Sequence, residues 1–271
     1  MRKQVKVGVE SFVDIHCHLL PGIDDGASNM DESLAMAKMA VADGIETIIC
    51  TPHQCGNHAS NHGDDIRSAV VLFQETLDHA AIPLTVLAGA DVRIEAGLIE
   101  QISRGEVLSL ADLRQHVLLE LPHELYIPLE PLLGRLKASC MVGILSHPER
   151  NQGIIDRPQL VRPLVEAGGL MQITAGSLVG TFGEPIRKLS EQLLTGGLVH
   201  FIATDAHGAQ SRRPLMRRAF LRTVELVGEQ YALEICCQNP QAVAMGKEIG
   251  QGVRSASTRR RRGWFSGRKT A

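Results

Sequence analysis

The sequence has few aromatic residues, no strong charge imbalance and no long hydrophobic run. Aromatic side chains make up 3% of the 271 residues, which leaves few flat surfaces for stacking the bases of single-stranded nucleic acid. Lys and Arg number 28 against 30 Asp and Glu, so the positive charge that general nucleic-acid binding needs is also missing. No run of about 18 apolar residues is present to span a bilayer. We therefore expect neither a specific nucleic-acid partner nor a membrane-spanning helix.

The chain also lacks the features of a secreted, disulfide-rich protein. Its opening residues 1–10 have no apolar segment and no small-residue cleavage site of the kind found in signal peptides. The cysteines are scattered, and a chain of this length does not need disulfides for stability. We therefore predict a cytoplasmic protein with reduced thiols. The cysteines are Cys17, Cys50, Cys55, Cys140, Cys236 and Cys237.

The residues that are present indicate one α/β domain over residues 11–250, after a leader of residues 1–10. An apolar content of 44% in 271 residues fits one sizeable core better than two small ones. Apolar β-type runs alternate with segments of helical period, which predicts seven parallel strands wrapped by helices in a (β/α)7 barrel. The predicted strands are 11–15, 45–50, 84–88, 116–121, 142–146, 169–173 and 199–203.

Helix signals lie between these strands. Asn29 followed by Glu32 forms a capping box for a first helix that runs through Met39 and stops at Gly44. The helical period predicts further helices at 64–80, 126–138, 156–167, 184–196, 211–228 and 229–237.

The last segment, residues 251–271, is rich in Ser, Gly and Arg and has no periodicity, so we predict a basic disordered tail. Within it, the stretch 259–265 joins four arginines to Trp264 and Phe265 and could make weak contact with an acidic membrane surface. The alternative is a solvated terminus without a specific partner.

Histidines and carboxylates end most of the predicted strands. Side chains two apart on a strand share a face, so His16 and His18 point the same way, as do Asp205 and His207. Strand ends in parallel barrels meet at one mouth, and imidazole and carboxylate ligands suit zinc, manganese or iron. The predicted strand-end ligands are His16, His18, His53, Asp91, Glu120, His147, Asp205 and His207.

Two acidic segments leave alternatives open. Of Asp24 and Asp25, we favour Asp25 as a ligand, although both could simply form a turn with Gly26. Glu120 lies in an apolar run, where burial without a cation would cost several kcal/mol. Asp91 follows the same logic, with Arg93 as an alternative partner. The remaining histidines are predicted to be surface or packing residues: His58, His62, His79, His116, His123 and His200.

A series of short motifs carries a family resemblance over residues 11–250. The motifs are Asp14-Ile-His16-Cys-His18, Asp24-Asp25-Gly26, Thr51-Pro-His53, Gly89-Ala-Asp91, Leu119-Glu120, Ser146-His147-Pro-Glu149-Arg150, Phe182-Gly183-Glu184 and Thr204-Asp205-Ala-His207. In this order they resemble the polymerase and histidinol phosphatase (PHP) superfamily, and most closely its bacterial protein tyrosine phosphatases of the CpsB/CapC/YwqE type. The resemblance implies a distorted TIM-like barrel with three divalent ions, often manganese, with iron, zinc or magnesium as alternatives.

The resemblance also implies a ligand set for each ion. The family usually has Glu where this chain has Asp91. The shorter carboxylate is expected to change the occupancy or the metal preference of the second site. The implied ligands are His16, His18, Asp91 and Asp205 for the first ion, Asp91, Glu120 and His147 for the second, and Asp25, His53 and His207 for the third.

The activity that the resemblance implies is hydrolysis of phosphotyrosine in proteins by water that the ions activate. Arg150 and Arg213 match the family's phosphate-binding arginines, with Arg212 as a competing choice, and His207 or His53 would assist proton transfer. The implied substrate is the tyrosine-rich C-terminal tail of a bacterial tyrosine kinase that controls capsule or exopolysaccharide synthesis. An oligomer is compatible with the sequence.

Other chemistries compete with this interpretation. A thiol phosphatase needs an arginine six positions after its cysteine, and none of the six cysteines has one. Another phosphoesterase of the same superfamily, such as a histidinol phosphatase or a nuclease, is the nearer alternative. A metal-dependent amidohydrolase commonly has a carbamylated lysine where this chain has Glu120. A non-enzymatic scaffold that binds a kinase or a membrane through its basic tail is the remaining alternative.

Overall fold

Parallel strand pairing sets the layout of the computed structural model, which describes residues 11–250 and 252–253. Apart from 252–253, the predicted leader and tail lie outside the described residues. All strand pairs in the two sheets are parallel, and helices alternate with them in a mixed α/β domain. The strands are β1 Phe12–Cys17, β2 Ile45–Cys50, β3 His53–Gln54, β4 Thr85–Ala88, β5 Asp91–Arg93, β6 His116–Glu120, β7 Val142–Ser146, β8 Leu170–Thr174 and β9 Phe201–Ala203.

The strands form a three-stranded sheet, β1-β2-β4, and a six-stranded sheet, β3-β5-β6-β7-β8-β9. The chain passes from the first sheet to the second through Thr51-Pro52 and again through Gly89-Ala90. Pro52 has no N–H to donate to a ladder, and a Cβ at Gly89 would lie 2.7 Å from Ile49. These two dipeptides therefore separate β2 from β3 and β4 from β5.

The end of β1 is hydrogen-bonded to the segment that follows β9. The Asp205 N–H donates to the His16 carbonyl oxygen at 2.7 Å, and the His18 N–H donates to the Ala206 carbonyl oxygen at 2.9 Å. The first and last strands in the sequence are therefore neighbours at their C-terminal ends, where the predicted ligands lie.

Helices α1 to α8 lie between strands in sequence, and helices α9 to α11 follow β9. They are α1 Met30–Asp43, α2 Gly63–His79, α3 Leu98–Arg104, α4 Glu130–Ala138, α5 Gln152–Asp156, α6 Val161–Glu166, α7 Ala175–Leu178, α8 Glu184–Thr195, α9 Arg217–Val227, α10 Glu229–Leu233 and α11 Asn239–Ala244. Short 3-10 turns cover Leu110–Asp112, Pro148–Arg150 and Pro158–Leu160, and a π-helical turn covers Glu234–Gln238. No helix among the described residues is long and apolar enough to cross a membrane.

The seven predicted strands are confirmed, with ends shifted by at most two residues, but the predicted helix starts are less accurate. The helix predicted from 211 begins at Arg217, because the preceding residues form a loop that contains Pro214. The helix predicted from 156 is wrong over its first turns, where Pro158 begins a 3-10 turn. The short strands β3 and β5 were not predicted.

The cap of α1 is confirmed in one direction only. The Glu32 N–H donates to the Asn29 side chain at 3.0 Å, but the Glu32 carboxylate accepts from the Ser28 N–H and hydroxyl instead of from the Asn29 N–H. Gly44 ends the helix with a φ of +100°, a left-handed conformation that glycine adopts without strain.

Candidate metal centre

All nine predicted ligands lie close together. They form overlapping groups in which one ligand atom from each member lies within 4.8 Å of the others. The groups are His18, Asp25, His53 and His207; His16, His18 and Asp91; His16, His147 and Asp205; and His53, Asp91 and Glu120. The structure therefore brings the nine residues together, while the role of each residue as a ligand stays a prediction.

Two hydrogen bonds orient the histidines of β1. Nδ1 of His16 donates to Oε1 of Gln172 at 2.8 Å, and Nδ1 of His18 donates to Oδ2 of Asp24 at 2.6 Å. Burial lowers the pKa of His16 to about 4, so the ring is neutral at pH 7 and its Nε2 carries a lone pair. The Nε2 atoms of His16 and His18 lie 3.3 Å apart. Such facing lone pairs are stabilised by a shared cation, and fixing the opposite ring nitrogen is typical of metal-binding histidines.

Asp24 has a role that the sequence did not reveal. Besides His18, its carboxylate accepts from the His53 N–H at 3.0 Å and the Gly26 N–H at 2.9 Å. Burial raises the pKa of Asp24, but the hydrogen bond from His18 opposes this, and the net pKa is lowered to about 2. A Cβ at Gly26 would lie 2.3 Å from the His18 carbonyl oxygen. The tight turn therefore uses Asp24 to hold two histidines and leaves Asp25 facing the cluster.

Asp91 is fully buried, and neither of its carboxylate oxygens accepts a hydrogen bond from the described residues. Three imidazole nitrogens surround its Oδ2: Nε2 of His16 at 3.5 Å, Nδ1 of His53 at 3.7 Å and Nε2 of His147 at 3.9 Å. These distances are too long for hydrogen bonds. Burial raises the pKa of Asp91, but the opposing effect of the histidines is larger, so the net pKa lies below its usual range. An ionised carboxylate without donors requires a cation.

Arg93, the alternative partner of Asp91, pairs with Glu120 instead. Arg93 lies opposite Glu120 in the register of β5 and β6, and its Nη1 is 3.4 Å from Oε2 of Glu120. Glu120 also lies 3.8 Å from Nδ1 of His53 and 3.9 Å from Nε2 of His147. Burial, and then the charge of Asp91, raise the pKa of Glu120.

One carboxylate oxygen of Asp205 faces the histidine cluster, and the other accepts hydrogen bonds from two arginines. Its Oδ1 lies 3.3 Å from Nε2 of His16 and 3.6 Å from Nε2 of His18. Its Oδ2 accepts from Nη2 of Arg212 at 2.6 Å and from Nη1 of Arg150. Asp205 has a φ of +49°, a strained conformation for a residue with a side chain, of a kind that clusters at functional sites.

Of the two adjacent arginines, Arg212 reaches the cluster and Arg213 does not. The side chain of Arg212 is partly buried against Asp205, whereas Arg213 is exposed. The His207 N–H donates to the Arg212 carbonyl oxygen at 2.9 Å, which ties this loop to the site. The structure therefore brings together Arg150 and Arg212, the choice that the sequence ranked second.

The outer edge of the cluster is open to solvent. Asp25 has a side chain that is 60% exposed, and its Oδ1 lies 3.5 Å from Nε2 of both His53 and His207. The nearby His207 is the main cause that lowers the pKa of Asp25. Nδ1 of His207 faces the Asp205 carbonyl oxygen at 3.0 Å, so Nε2 is the nitrogen that faces the site.

The motif residue Asp14 lies beneath the cluster. It is fully buried, and its carboxylate accepts from the Thr204 N–H at 3.0 Å and from the Thr204 hydroxyl. Burial raises the pKa of Asp14 to about 6. These bonds connect β1 to the segment after β9 and so help to position Asp205.

The fold is similar to that of a solved metal-dependent tyrosine phosphatase. A solved structure described as "Crystal structures of YwqE from Bacillus subtilis and CpsB from Streptococcus pneumoniae, unique metal-dependent tyrosine phosphatases" superposes with a TM-score of 0.86 at 33% identity, over 91% of this chain and 100% of that one. A lactonase from Listeria monocytogenes superposes with a TM-score of 0.53 at 12% identity, over 88% and 95% of the two chains, which is a likeness of fold alone.

The family model described as "Capsular polysaccharide synthesis, CpsB/CapC" matches residues 12–245, and the chain belongs to this family. The tyrosine-protein phosphatase YwqE of Bacillus subtilis is 39% identical over 203 residues, which cover 74% of this chain and 79% of YwqE. The tyrosine-protein phosphatase CpsB of Streptococcus pneumoniae is 26% identical over 243 residues, which cover 88% and 100% of the two chains.

Proposed function

We propose that this chain is a metal-dependent protein tyrosine phosphatase. Its family and the names of its relatives support this activity. The observation that carries the proposal is the buried carboxylate of Asp91, which has no hydrogen-bond donor among the described residues and has histidine nitrogens around one of its oxygens. A divalent cation is the partner that such a donor set accepts.

The donor set fits divalent ions, and we assign three, with manganese as the first choice. Divalent ions held here would supply a Lewis acid for the phosphoryl oxygens and would lower the pKa of water toward about 7. His207 binds through Nε2, because its Nδ1 faces a backbone oxygen. The assigned ligands are His16, His18, Asp25, His53, Asp91, Glu120, His147, Asp205 and His207.

Arg150 and Arg212 hold the phosphoryl group. Each shares one N–H with Oδ2 of Asp205, and a guanidinium has five N–H donors, so both retain donors for the non-bridging oxygens. Charge-assisted hydrogen bonds of this kind strengthen as negative charge develops in the transition state. Asp205 thus aligns both arginines before the substrate arrives.

We propose that the two sheets together form a distorted barrel of seven strands. β2 with β3, and β4 with β5, each count as one strand that is interrupted by a dipeptide. The strand order around the sheets then follows the chain, and the hydrogen bonds between the end of β1 and Asp205-Ala206 join the first strand to the last. Both points support the barrel, which positions every ligand at one mouth.

The substrate that we propose is the phosphorylated tyrosine-rich tail of a bacterial tyrosine kinase that controls capsule or exopolysaccharide synthesis. The description of the family model, which refers to capsular polysaccharide synthesis, supports this assignment. Such a substrate is cytoplasmic, which agrees with the predicted location of this chain.

The test combines elemental analysis with phosphotyrosine-peptide hydrolysis. We expect bound divalent metal, loss of activity with a chelator, recovery with manganese, and full activity after thiol alkylation, because Cys17, Cys50 and Cys55 are buried. Activity that survives chelation but not alkylation would contradict the proposal. Histidinol phosphate and DNA, tested in parallel, distinguish the related phosphoesterases, and bound metal without turnover of any phosphoester would favour a scaffold.

A further inference from the structure

A cavity of about 340 Å³ adjoins the metal centre on the side of β3 and β6. His53 and Glu120 form its inner wall and also belong to the ligand cluster. Arg93, His58 and His123 are among the residues that line its outer part. The cavity therefore begins where the cluster ends.

His58 is held against a predicted ligand by a tight turn. The His58 N–H donates to the Cys55 carbonyl oxygen at 2.9 Å, and Cys55 has a φ of +68°. The turn brings the ring of His58 to a centroid distance of 5.1 Å from the ring of His53, with 31° between the ring planes. His58 thus presents a fixed flat surface to the cavity.

The ring of His123 lies beside the ring of another predicted ligand, as the ring of His58 does. Its ring centroid lies 5.8 Å from that of His147, with 33° between the planes. The loop is fixed, because the Gln152 N–H donates to the His123 carbonyl oxygen at 2.8 Å and the Asn151 side chain donates to the Pro122 carbonyl oxygen at 2.6 Å. His58, which is half-buried, and His123, which is exposed, therefore both line the cavity beside a predicted ligand.

The two arginines determine which way a bound phosphate ester points. Arg150 and Arg212 follow β7 and β9 and meet at Asp205, whereas the cavity is lined by residues of β3, β5 and β6 and the segments after them. Phe182 lies 4.6 Å from Cζ of Arg150 and covers the guanidinium. A phosphoryl group whose non-bridging oxygens were held by these arginines would direct its ester oxygen away from them, toward the cavity.

We infer that this cavity is an aryl subsite, in which His58 and His123 contact the aromatic ring of the phosphomonoester. The inference rests on the proposed function and names these two histidines as the residues that determine its preference for an aromatic ester. Arg93 is paired with Glu120, and the remaining charged residue of the lining is Glu124, so the described residues of the cavity include no unpaired cation that would attract a second anionic group. Planar side chains stack favourably on aromatic rings.

The test measures binding without turnover, by calorimetry on the full chain supplemented with manganese. Benzylphosphonate and methylphosphonate share the phosphonate group and differ in the ring. We expect the wild type to bind benzylphosphonate about 10-fold more tightly because the ring is buried. His58→Ala and His123→Ala should each reduce this preference to about 3-fold or less and leave methylphosphonate binding unchanged.

Matched variants control for unfolding and for the loss of any histidine. His79→Ala changes an exposed residue on α2 outside the cavity and should keep the full preference. His58→Phe and His123→Phe retain a flat ring and should also keep it. An unaltered preference in both alanine variants would overturn the aryl subsite while leaving the phosphatase intact. Failure of both phosphonates and of inorganic phosphate to bind would overturn the proposed function and the subsite together.

Discussion

The ring of Phe182 lies beneath the guanidinium of Arg150, with 4.6 Å between the ring centroid and Cζ. Phe182 occupies the turn between α7 and α8, where Gly180 and Gly183 have φ values of +90° and +93°. Stacking covers one face of the guanidinium and leaves its N–H edge for anions. Phe182 therefore positions Arg150, the arginine that we propose to bind phosphate.

Replacing Phe182 by leucine should weaken phosphate binding. The loss of stacking on Arg150 predicts an inhibition constant for inorganic phosphate, and a KM for phosphotyrosine peptide, that are each about 3- to 10-fold higher. Phe182→Trp keeps a ring beneath the guanidinium and should restore both values. Equal effects of Leu and Trp would show that Phe182 acts only through packing of the turn.

Replacing Asp24 by asparagine should weaken metal binding, although Asp24 is not among the assigned ligands. The amide removes the charge that orients His18 through its Nδ1, and changes of this kind cost about 10- to 100-fold in metal affinity. Manganese binding measured by competition with a chromophoric chelator is the readout. Asp31→Asn, which alters an exposed carboxylate of α1, is the matched control. Unchanged affinity in Asp24→Asn would remove Asp24 from the site.

The adjacent arginines should respond very differently to substitution. Arg212→Ala removes a donor that is positioned by Asp205 and should lower kcat/KM for phosphotyrosine peptide by about 100- to 1,000-fold. Arg213→Ala changes an exposed side chain and should stay within about 3-fold of the wild type. The reverse ranking, with Arg213 the more important residue, would contradict the arrangement of this loop.

His116 should make the fold sensitive to acid. It lies at the N-terminal start of β6, away from the ligand end, and burial lowers its pKa from 6.5 to about 4. The unfolded chain therefore binds more protons than the native protein below pH 6.5, so stability is full above that pH and falls between pH 6.5 and 4. For this group alone the loss at pH 5 is about 2 kcal/mol.

His116→Gln should remove this part of the pH dependence. Urea denaturation of the metal-free protein at pH 7 and pH 5 gives the free energy of unfolding, and the difference between the two should shrink by about 2 kcal/mol in the variant. His79→Gln, at an exposed position, should behave like the wild type. An identical pH dependence in His116→Gln and the wild type would show that His116 does not cause the acid sensitivity.

Much of the site was predictable because its chemistry is local in sequence. His16 and His18 share a face through the two-residue repeat of a strand, and Glu120 ends an apolar run that otherwise has no use for a charge. The strands were also recognisable, because buried parallel strands are nearly continuous apolar runs. Strands as short as β3 and β5 have no such signal, yet they place His53 opposite Asp91 in register.

The sequence by itself determined which residue types end the strands, and hence the family and the metal-binding character of the site. Only the tertiary structure decided which neighbours complete it. Gln172 is 156 positions from His16, to which it is hydrogen-bonded, and the choice of Arg212 over Arg213 depends on a loop with a left-handed residue. The physical reason is that hydrogen bonds between distant segments depend on the relative placement of whole strands, which no local pattern encodes.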